Sequence, residues 1–344
     1  MNRILEKNET RPEAERYSFT FIHYKKSDNP IYKKVRELIV PRNPLFSASV
    51  LRREAFDLVH YTPLTIYAPI YCVPNRKTAT IHGAEQLLLP HFFGPLEMFH
   101  ERYLVPIFAR KMDGILTVSN TTKKYLADHF KVRPERITVA YNGIGPEYRP
   151  RPPEELSVLK KFGISRKYIF HISRFSERKN PWTLLSSFSQ FIKKGNYPHL
   201  LICAGKGWDN PEVEKRIAQL GIADRFLAVG FVSDDEASQF MNGADAFVFP
   251  SFAEGFGMPN VEAFASACPV ITSSAFAIPE IVDGAALIIE DPSDAEGFAE
   301  AMQQVIEDVN IRNELIAKGL ERVGLFSWEE AAGKLMDMYD RILK

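Results

Sequence analysis

Residues 250–262 of the chain read Pro-Ser-Phe-Ala-Glu-Gly-Phe-Gly-Met-Pro-Asn-Val-Glu. The apolar run 246–249 before them predicts a buried strand, and the apolar spacing after them predicts a helix that begins near Pro259. Between these two elements, Gly255 and Gly257 allow a sharp turn and a close approach of a ligand to the backbone. Unpaired N–H groups and the positive end of a helix dipole meet at such a turn, so the stretch predicts an anion site.

Two carboxylates flank this turn, Glu254 at its start and Glu262 near the end of the first helical turn. A carboxylate repels an anion, but it accepts hydrogen bonds from hydroxyl groups, which are dense on sugars. Donors for phosphate and acceptors for sugar hydroxyls in one loop favour a nucleotide-sugar as the ligand. The alternative is a surface Glu254 together with a Glu262 that complements the helix dipole.

The seven-residue spacing of these glutamates and the residues around them resemble the E-x7-E motif of the retaining GT-B glycosyltransferases of family GT4. The likeness extends from about Phe56 to Tyr339. It implies an α/β fold of two Rossmann-like domains that face each other across a cleft. It also places Glu254 on the hydroxyls of the donor sugar and Glu262 on the ribose. The amides that would face the donor diphosphate belong to four residues of the turn: Gly255, Phe256, Gly257 and Met258.

The composition is that of a soluble globular protein of two domains, with 344 residues, 45% hydrophobic and 25% charged. Because 43 basic residues balance 43 acidic ones, bulk charge does not indicate nucleic acid as a partner. No apolar run suggests a transmembrane helix, and the polar N-terminus does not resemble a signal peptide. Cys72, Cys203 and Cys268 lie far apart, without metal-ligand spacing, and predict reduced core residues of a cytoplasmic protein.

A basic N-terminal stretch raises the alternative of a peripheral contact with the inner face of a membrane. Its cations are Lys25, Lys26, Lys33, Lys34, Arg36, Arg42, Arg52 and Arg53. A solvated surface is the commoner explanation of such a stretch, and a lipid or lipid-phosphate site is the second one.

Alternating strands and helices in residues 1–148 predict a parallel sheet for an N-terminal domain, and the resemblance implies that this is the acceptor-side domain. The predicted strands are 17–24, 57–61, 78–82, 114–119 and 137–141, and the predicted helices are 96–111 and 121–130. Ligands of such sheets lie outside the carboxyl ends of the strands, where His82 ends one strand. The resemblance directs His82 towards the donor and matches Asn142 to the family's Asn-Gly after the last strand. Glu85 is an acceptor-side candidate, because it stands near a position that is often Asp in the family.

Three prolines, Pro150, Pro152 and Pro153, mark a linker, and residues 149–327 then form the predicted nucleotide-sugar-binding domain. The helix at 328–344 resembles the family's terminal helix, which packs back on the N-terminal domain. Lys206 follows the second strand of the C-terminal domain. Phe231 and Val232 resemble the segment that receives the nucleobase.

The first strand of this domain, 168–173, ends in Arg174, and Lys179 lies in the loop before a helix opened by Pro181. Two cations between a strand and a helix N-terminus suit a diphosphate. The resemblance gives Arg174 and Lys179 that role. Arg178 is predicted to point elsewhere, because adjacent side chains do not easily share one target.

The chain departs from the family pattern at two places. Ala267 stands where the family has a turn glycine. Residues 1–15 contain neither a glycine nor a predicted strand, whereas family members begin with an apolar strand and a Gly-rich loop that faces the acceptor. The N-terminal domain is therefore predicted to lack its usual first strand and loop, and a partner that supplies this element is one way to fill the gap.

The resemblance, together with these features, implies a retaining glycosyltransferase that moves a hexose from a nucleoside-diphosphate sugar to a saccharide or lipid-linked acceptor in polysaccharide assembly. GDP-mannose is the favoured donor and a UDP-sugar the alternative. The predicted catalytic residues are Glu254, His82, Arg174 and Lys179. Since the sequence contains no Asp-x-Asp, no metal and no other cofactor is predicted.

Three other functions stay open from the residues. A glycoside hydrolase would use the two glutamates as its acid and nucleophile, and would hold them about 5–5.5 Å apart if retaining. A non-catalytic or partner-dependent nucleotide-sugar-binding subunit would share the donor site, as would a GT-B nucleotide-sugar epimerase. Turnover of the donor separates an enzyme from a binding subunit.

Overall fold

The structure of the protein is a computed structural model that describes residues 2–25, 34–62 and 75–344. Three residues named above lie outside these ranges: Lys26, Lys33 and Cys72. The chain divides into two α/β units. Unit 1 comprises residues 1–143 and 327–344, and unit 2 comprises residues 144–326. None of the helices in the described ranges has both the length and the apolar composition that crossing a membrane requires.

The strands of unit 1 form two parallel sheets. Within the described ranges, β1 (Thr20–His23) and β2 (Arg36–Ile39) pair only with each other, and Ile22 and Leu38 pack against the core of the unit. The other sheet has the order β3-β4-β5-β6, with β3 at Leu58–Tyr61, β4 at Arg76–Ile81, β5 at Gly114–Thr117 and β6 at Ile137–Val139. The predicted strand 17–24 thus exists as β1, but it lies outside the four-stranded sheet.

The helices of unit 1 are α1 (Asn2–Glu9), α2 (Pro44–Glu54), α3 (Glu85–Leu88), α4 (Pro95–Phe99), α5 (Val105–Arg110), α6 (Asn120–Phe130) and α15 (Trp328–Leu343). One helix was predicted over 96–111, but a π-helical turn at His100–Leu104 separates α4 from α5. Pro106, which has no N–H to donate to the carbonyl of Arg102, gives a physical reason for the break.

The N-terminal helix α1 is anchored on the C-terminal helix α15. Ile4 packs against the apolar cluster that α15 contributes. Asn8 fixes the chain after α1, because its Nδ2 donates to Tyr17 O at 2.9 Å and its Oδ1 accepts from Tyr17 N at 2.8 Å. Arg11 and the Tyr17 hydroxyl both donate to the carboxylate of Asp340. The residues before β1 therefore carry a helix, which the sequence analysis did not predict, and no strand is described there.

Unit 2 contains a six-stranded parallel sheet in the order β12-β11-β10-β7-β8-β9. Its strands are β7 (Tyr168–Ile172), β8 (Leu200–Ala204), β9 (Phe226–Gly230), β10 (Ala246–Phe249), β11 (Val270–Ser273) and β12 (Ala286–Ile289). The strand order reverses between β7 and β10. In such sheets, ligands bind at this switch point, outside the carboxyl ends of the strands.

Apolar side chains fill both faces of this sheet, as continuous apolar strands require. Phe170 and Phe247 lie in the core on one face, and Ile169 and Val248 lie in the core on the other. The helices that cover the sheet are α7 (Ser157–Lys161), α8 (Pro181–Gly195), α9 (Pro211–Leu220), α10 (Asp234–Gly243), α11 (Met258–Ala265), α12 (Ile278–Val282), α13 (Ala295–Glu307) and α14 (Val309–Val323). Cys203 and Cys268 are buried free thiols, as predicted.

The structure defines two segments of unit 2 whose conformation could not be predicted from the sequence. Ala267 adopts φ +54°, the left-handed conformation that a glycine tolerates best, so the turn keeps its shape although the glycine is missing. The proline-rich stretch is fixed to α10, because Arg151 Nη2 lies 2.6 Å from Asp235 Oδ1 and Arg151 N donates to Asn242 Oδ1 at 2.6 Å.

Candidate active site

The candidate site of unit 2 lies at the carboxyl ends of β7 and β10, the switch point of its sheet. β7 leads through Arg174 into a 3-10 turn at Glu177–Lys179 and then into α8. β10 leads through the stretch 250–257 into α11. The two predicted halves of the donor site therefore follow neighbouring strands.

Glu254 is the buried centre of an ion cluster, with 8% of its surface exposed. Three donors use the same carboxylate oxygen: Oε1 accepts from Lys179 Nζ at 2.5 Å, Arg178 Nη1 at 3.0 Å and Ser251 Oγ at 2.5 Å. Among the hydrogen bonds of the described residues, none uses Oε2 of Glu254. The carboxylate is thus held firmly through one oxygen, while the second can accept from a ligand hydroxyl.

The prediction that Arg178 points away from this cluster is wrong. Arg178 Nη1 donates to the carbonyl of Ala253 at 2.6 Å as well as to Glu254, and its own carbonyl accepts from Phe252 N at 2.9 Å. In the tight 3-10 turn, the long side chains of Arg178 and Lys179 converge on one carboxylate. Arg178 thereby ties the loop after β7 to the loop after β10.

Lys179 has a second contact inside the cluster. Its Nζ lies 4.9 Å from the centroid of the Phe249 ring, a distance at which a cation is attracted to the aromatic face. The apolar strand end and Glu254 together position the ammonium group at the switch point.

Arg174 and Lys206 are exposed cations at the ends of β7 and β8. Within the described ranges, neither forms an ion pair. Backbone bonds hold both loops in place: Phe175 N donates to Lys206 O at 2.9 Å, and Ser173 N donates to Ala204 O at 3.0 Å. The loops approach so closely that a Cβ on Gly205 would lie 2.1 Å from Ser173 O. Two neighbouring loops therefore each present a cation that can bind an anion.

The N-terminus of α11 presents backbone rather than side-chain groups. Gly257 is its N-cap, with φ +84° and no side-chain capping bond. Phe256 is buried, and its ring packs edge-on against Phe326 with centroids 5.6 Å apart. Gly255 is also buried, and Met258 is half-buried. A helix N-terminus without a capping side chain suits an anionic ligand.

Glu262 lies half-buried in α11, and burial raises its pKa to about 7. The negative charge of Asp234 adds to the rise, while a hydrogen bond from Tyr148 opposes it. The Tyr148 hydroxyl also lies 3.5 Å from Asp234 Oδ1. Tyr148 was missed in the sequence, because nothing in its local pattern links it to a glutamate so far along the chain.

The segment after β9 exposes an aromatic ring. Phe231 is 77% exposed, whereas Val232 is buried with 7% exposed. Ser233 then caps α10, and Glu236 completes a capping box. A rigid helix start thus holds a flat apolar side chain in solvent.

The predicted residues of unit 1 lie at the carboxyl ends of its sheet. His82 directly follows β4 and is exposed, Glu85 begins α3, and Asn142 follows β6. By contrast, His60 of β3 lies 2.9 Å from Thr78 Oγ1 and 2.9 Å from Thr80 Oγ1, and burial lowers its pKa to about 4. His60 is therefore a neutral structural residue.

Comparison with known families defines the class of protein. Residues 6–148 match the family model Glycosyltransferase Family 4, and residues 158–322 match the family model Glycosyl transferases group 1. The two matches cover most of both units and agree with the motif around Glu254. The chain belongs to the GT4 family of glycosyltransferases and is an enzyme of that class.

Two relatives are mannosyltransferases of Escherichia coli. The O-antigen chain mannosyltransferase B is 28% identical over 298 residues, which are 84% of this chain and 77% of that protein. The serotype-specific mannosyltransferase WbdA is 24% identical over 294 residues, which are 83% of this chain but 36% of WbdA. The chain therefore spans about a third of the second relative.

The GT-B fold is shown by solved structures. Alr3699/HepE of Anabaena, solved in complex with UDP and glucose, has a TM-score of 0.78 at 17% identity. The alignment covers 94% of this chain and 91% of that one. This likeness agrees with the two parallel α/β units and with the predicted fold class.

Proposed function

We propose that the protein is a retaining mannosyltransferase that uses a nucleoside-diphosphate sugar, with GDP-mannose as the donor, and a saccharide or lipid-linked acceptor in polysaccharide assembly. The observation that carries the proposal is Glu254, held through Oε1 by two cations at the switch point while Oε2 can accept from a sugar hydroxyl. The choice of mannose is supported by the names of the two E. coli relatives. A UDP-sugar is the alternative donor.

The donor diphosphate would lie between the N-terminus of α11 and the exposed cations Arg174 and Lys206. Lys179 can turn from Glu254 to the diphosphate, because Arg178 and Ser251 would still hold Oε1. These cations and the turn amides then stabilise the charge that grows on the leaving group. The chain has no Asp-x-Asp to hold a metal ion, and these side-chain cations can neutralise the diphosphate in its place. Both features support a metal-independent reaction.

The remaining donor contacts follow from the same placement. Glu262 would accept from the ribose hydroxyls, and the segment Phe231–Val232 would receive the base. His82 and Asn142 are proposed on the donor side of unit 1 and Glu85 on its acceptor side, as the family resemblance implies.

The transfer needs no covalent enzyme intermediate. The acceptor oxygen forms a bond to the anomeric carbon on the face from which the diphosphate departs. The bond between that carbon and the diphosphate oxygen breaks, and this oxygen takes the acceptor proton. Glu254 positions the donor sugar during the step.

A slow side reaction with water tests the proposal without knowledge of the acceptor. We expect the protein to release GDP from GDP-mannose, with α-mannose as the first anomer seen by ¹H NMR. Initial β-mannose would reject the retaining mechanism. Binding of GDP-mannose and UDP-glucose without any release from either would instead support the non-catalytic binding subunit.

A peripheral membrane contact of unit 1 is also proposed. Leu45 and Phe46 are 70% and 67% exposed at the start of α2, and the exposed Arg42, Arg52 and Arg53 lie in the same stretch. Apolar side chains and cations together suit an anionic lipid surface. We expect the protein to sediment with vesicles that contain phosphatidylglycerol, and the double variant Leu45→Ser, Phe46→Ser to lose most of this binding. Equal binding by both proteins would reject the contact.

A further inference from the structure

Asn260, the third residue of α11, carries a buried amide without a partner. The residue is fully buried, and neither Oδ1 nor Nδ2 has a hydrogen-bond partner in the described part of the chain. Buried polar groups are almost always paired in native proteins, since an unpaired one lowers stability. The amide therefore needs an explanation.

Other buried amides of unit 2 are paired. Asn180 Nδ2 donates to Pro250 O at 3.0 Å. Gln239 Oε1 accepts from Val158 N at 2.9 Å, and its Nε2 donates to Asp235 Oδ2 at 2.8 Å. These buried amides of unit 2 therefore have hydrogen-bond partners, whereas the amide of Asn260 does not.

The unpaired amide lies against the bend of the anion turn. Its Nδ2 is 3.0 Å from the position that a Cβ on Gly257 would occupy, and Asn260 N donates to Gly257 O at 3.0 Å. The Cβ of Glu254 lies 3.9 Å from the same position. Asn260 therefore supports the turn that links the buried carboxylate to the start of α11.

A peptide group points its N–H and its C=O in opposite directions. When peptides of the turn aim their N–H groups at a diphosphate, their carbonyls must aim towards the other side of the turn. A donor on that side would stabilise this orientation. The positive φ of Gly257 gives the turn the backbone freedom to adopt it.

We propose that Asn260 is a positioning residue of the donor site, whose Nδ2 donates to a carbonyl of residues 255–256 when the turn amides bind the donor diphosphate. Nδ2 of Asn260 then gains its partner when the donor binds. This inference rests on the proposed function, because it requires a nucleoside diphosphate at the turn.

The variant Asn260→Leu tests the role, because leucine has the same branched side-chain skeleton and no polar atoms. We expect its melting temperature to equal or exceed that of the wild type, since an unpaired buried amide is removed. We expect its Kd for GDP, measured by calorimetry, to rise about tenfold, as loss of one hydrogen bond implies. Its Kd for guanosine, which has no phosphate, should stay unchanged.

Gln239→Leu is the matched control, because it removes a paired buried amide from the same unit. It should lower the melting temperature and leave the Kd for GDP unchanged. UDP and uridine are measured in parallel, so that the choice of base does not decide the result.

The outcomes separate the inference from the proposed function. A wild-type protein that binds neither GDP nor UDP overturns both. Wild-type binding together with an unchanged Kd in Asn260→Leu overturns the inference alone. If the leucine variant does not fold, Asn260→Ala replaces it. Failure of both variants to fold overturns the inference too, because the amide would then be required by the fold itself.

Discussion

Glu254 in unit 2 and Asp340 in unit 1 are both carboxylates bound to an arginine and a hydroxyl, but they distribute their hydrogen bonds differently. At Asp340, Arg11 donates to Oδ2 and Tyr17 donates to Oδ1, so both oxygens are used. At Glu254, all three side-chain donors converge on Oε1. The comparison shows how a carboxylate that anchors the segment after α1 to α15 differs from one that is fixed and can still accept from a ligand.

Exposure separates the two clusters further. The side chain of Glu254 is 10% exposed, and that of Asp340 is 25% exposed. Solvent screens the Asp340 cluster more strongly, so its bonds contribute less to stability. We therefore expect substitutions around Glu254 to alter catalysis strongly and those around Asp340 to alter stability modestly.

The largest expected effect is that of Glu254→Gln on turnover. Its kcat should fall about 100-fold, because a charge that we propose contacts the reacting sugar is lost. Glu262→Gln should instead raise the KM for the donor, since the ribose does not change during the reaction. Steady-state kinetics with GDP-mannose provide the measurement. Equal and small effects of the two variants would contradict the assignment.

Arg174 and Arg178 test the same distinction with cations. Arg174→Ala should lower kcat/KM about 100-fold and leave the melting temperature unchanged, because Arg174 is exposed and its proposed partner is the leaving group. Arg178→Ala should lower the free energy of unfolding by about 2 kcal/mol, since it removes one of two cations from a buried carboxylate.

Kinetics and chemical denaturation of the two variants decide this prediction. Arg178→Ala will also lower kcat, because Glu254 loses part of its support. A stable Arg178→Ala protein with normal kinetics would show that the bonds of Arg178 to Ala253 and Glu254 are unimportant.

Glu262 should make the Kd for GDP depend on pH, with an effect smaller than those of Glu254→Gln and Arg174→Ala. Its pKa in the folded protein is raised to about 7 by burial, above the ordinary value of about 4.3. The protonated form therefore stabilises the fold at low pH, and this contribution is lost as the pH rises through about 7. The proposed contact with the ribose hydroxyls requires the ionised form of Glu262, so the Kd for GDP should fall about tenfold between pH 6 and pH 8.

Glu262→Gln is the control for this dependence. Its Kd for GDP should be higher than that of the wild type and nearly constant over the same pH range. A variant that keeps the wild-type pH profile would assign the titration to another group.

The elements of unit 2 could be predicted because their signals are local. The apolar run 246–249 is β10, and the proline at 259 lies in the first turn of α11. The left-handed φ of Ala267 could not be predicted from residue type, since the family's glycine is absent there and the turn persists. Surrounding packing determines that backbone.

The side-chain arrangement of the site was harder to predict. Arg178 was misassigned because its direction depends on a 3-10 turn and on the loop after another strand. Tyr148 was missed because its contact with Glu262 joins distant parts of the chain. The attachment of α1 to α15 joins the two ends of the chain, and no local pattern encodes such a contact.

The smallest expected effect concerns Asp340. The hydrogen bond from Arg11, together with that from Tyr17, lowers the pKa of Asp340. The ionised form therefore stabilises the fold above the ordinary aspartate pKa of about 3.9, and this contribution is lost as the pH falls through the lowered pKa. Asp340→Asn should reduce the free energy of unfolding at pH 7 by about 1 kcal/mol, because the cluster is partly exposed.

Asp337→Asn is the matched control on the same helix, since Asp337 is exposed and forms no ion pair with a described residue. Urea denaturation at pH 7 and near pH 3 should show a difference between the two variants that shrinks at the lower pH, where Asp340 becomes protonated in the unfolded wild type. Neither variant should alter kcat with GDP-mannose. If Asp340→Asn lowered kcat as strongly as Glu254→Gln, the distribution of donors over the two carboxylate oxygens would not separate an anchoring carboxylate from a catalytic one.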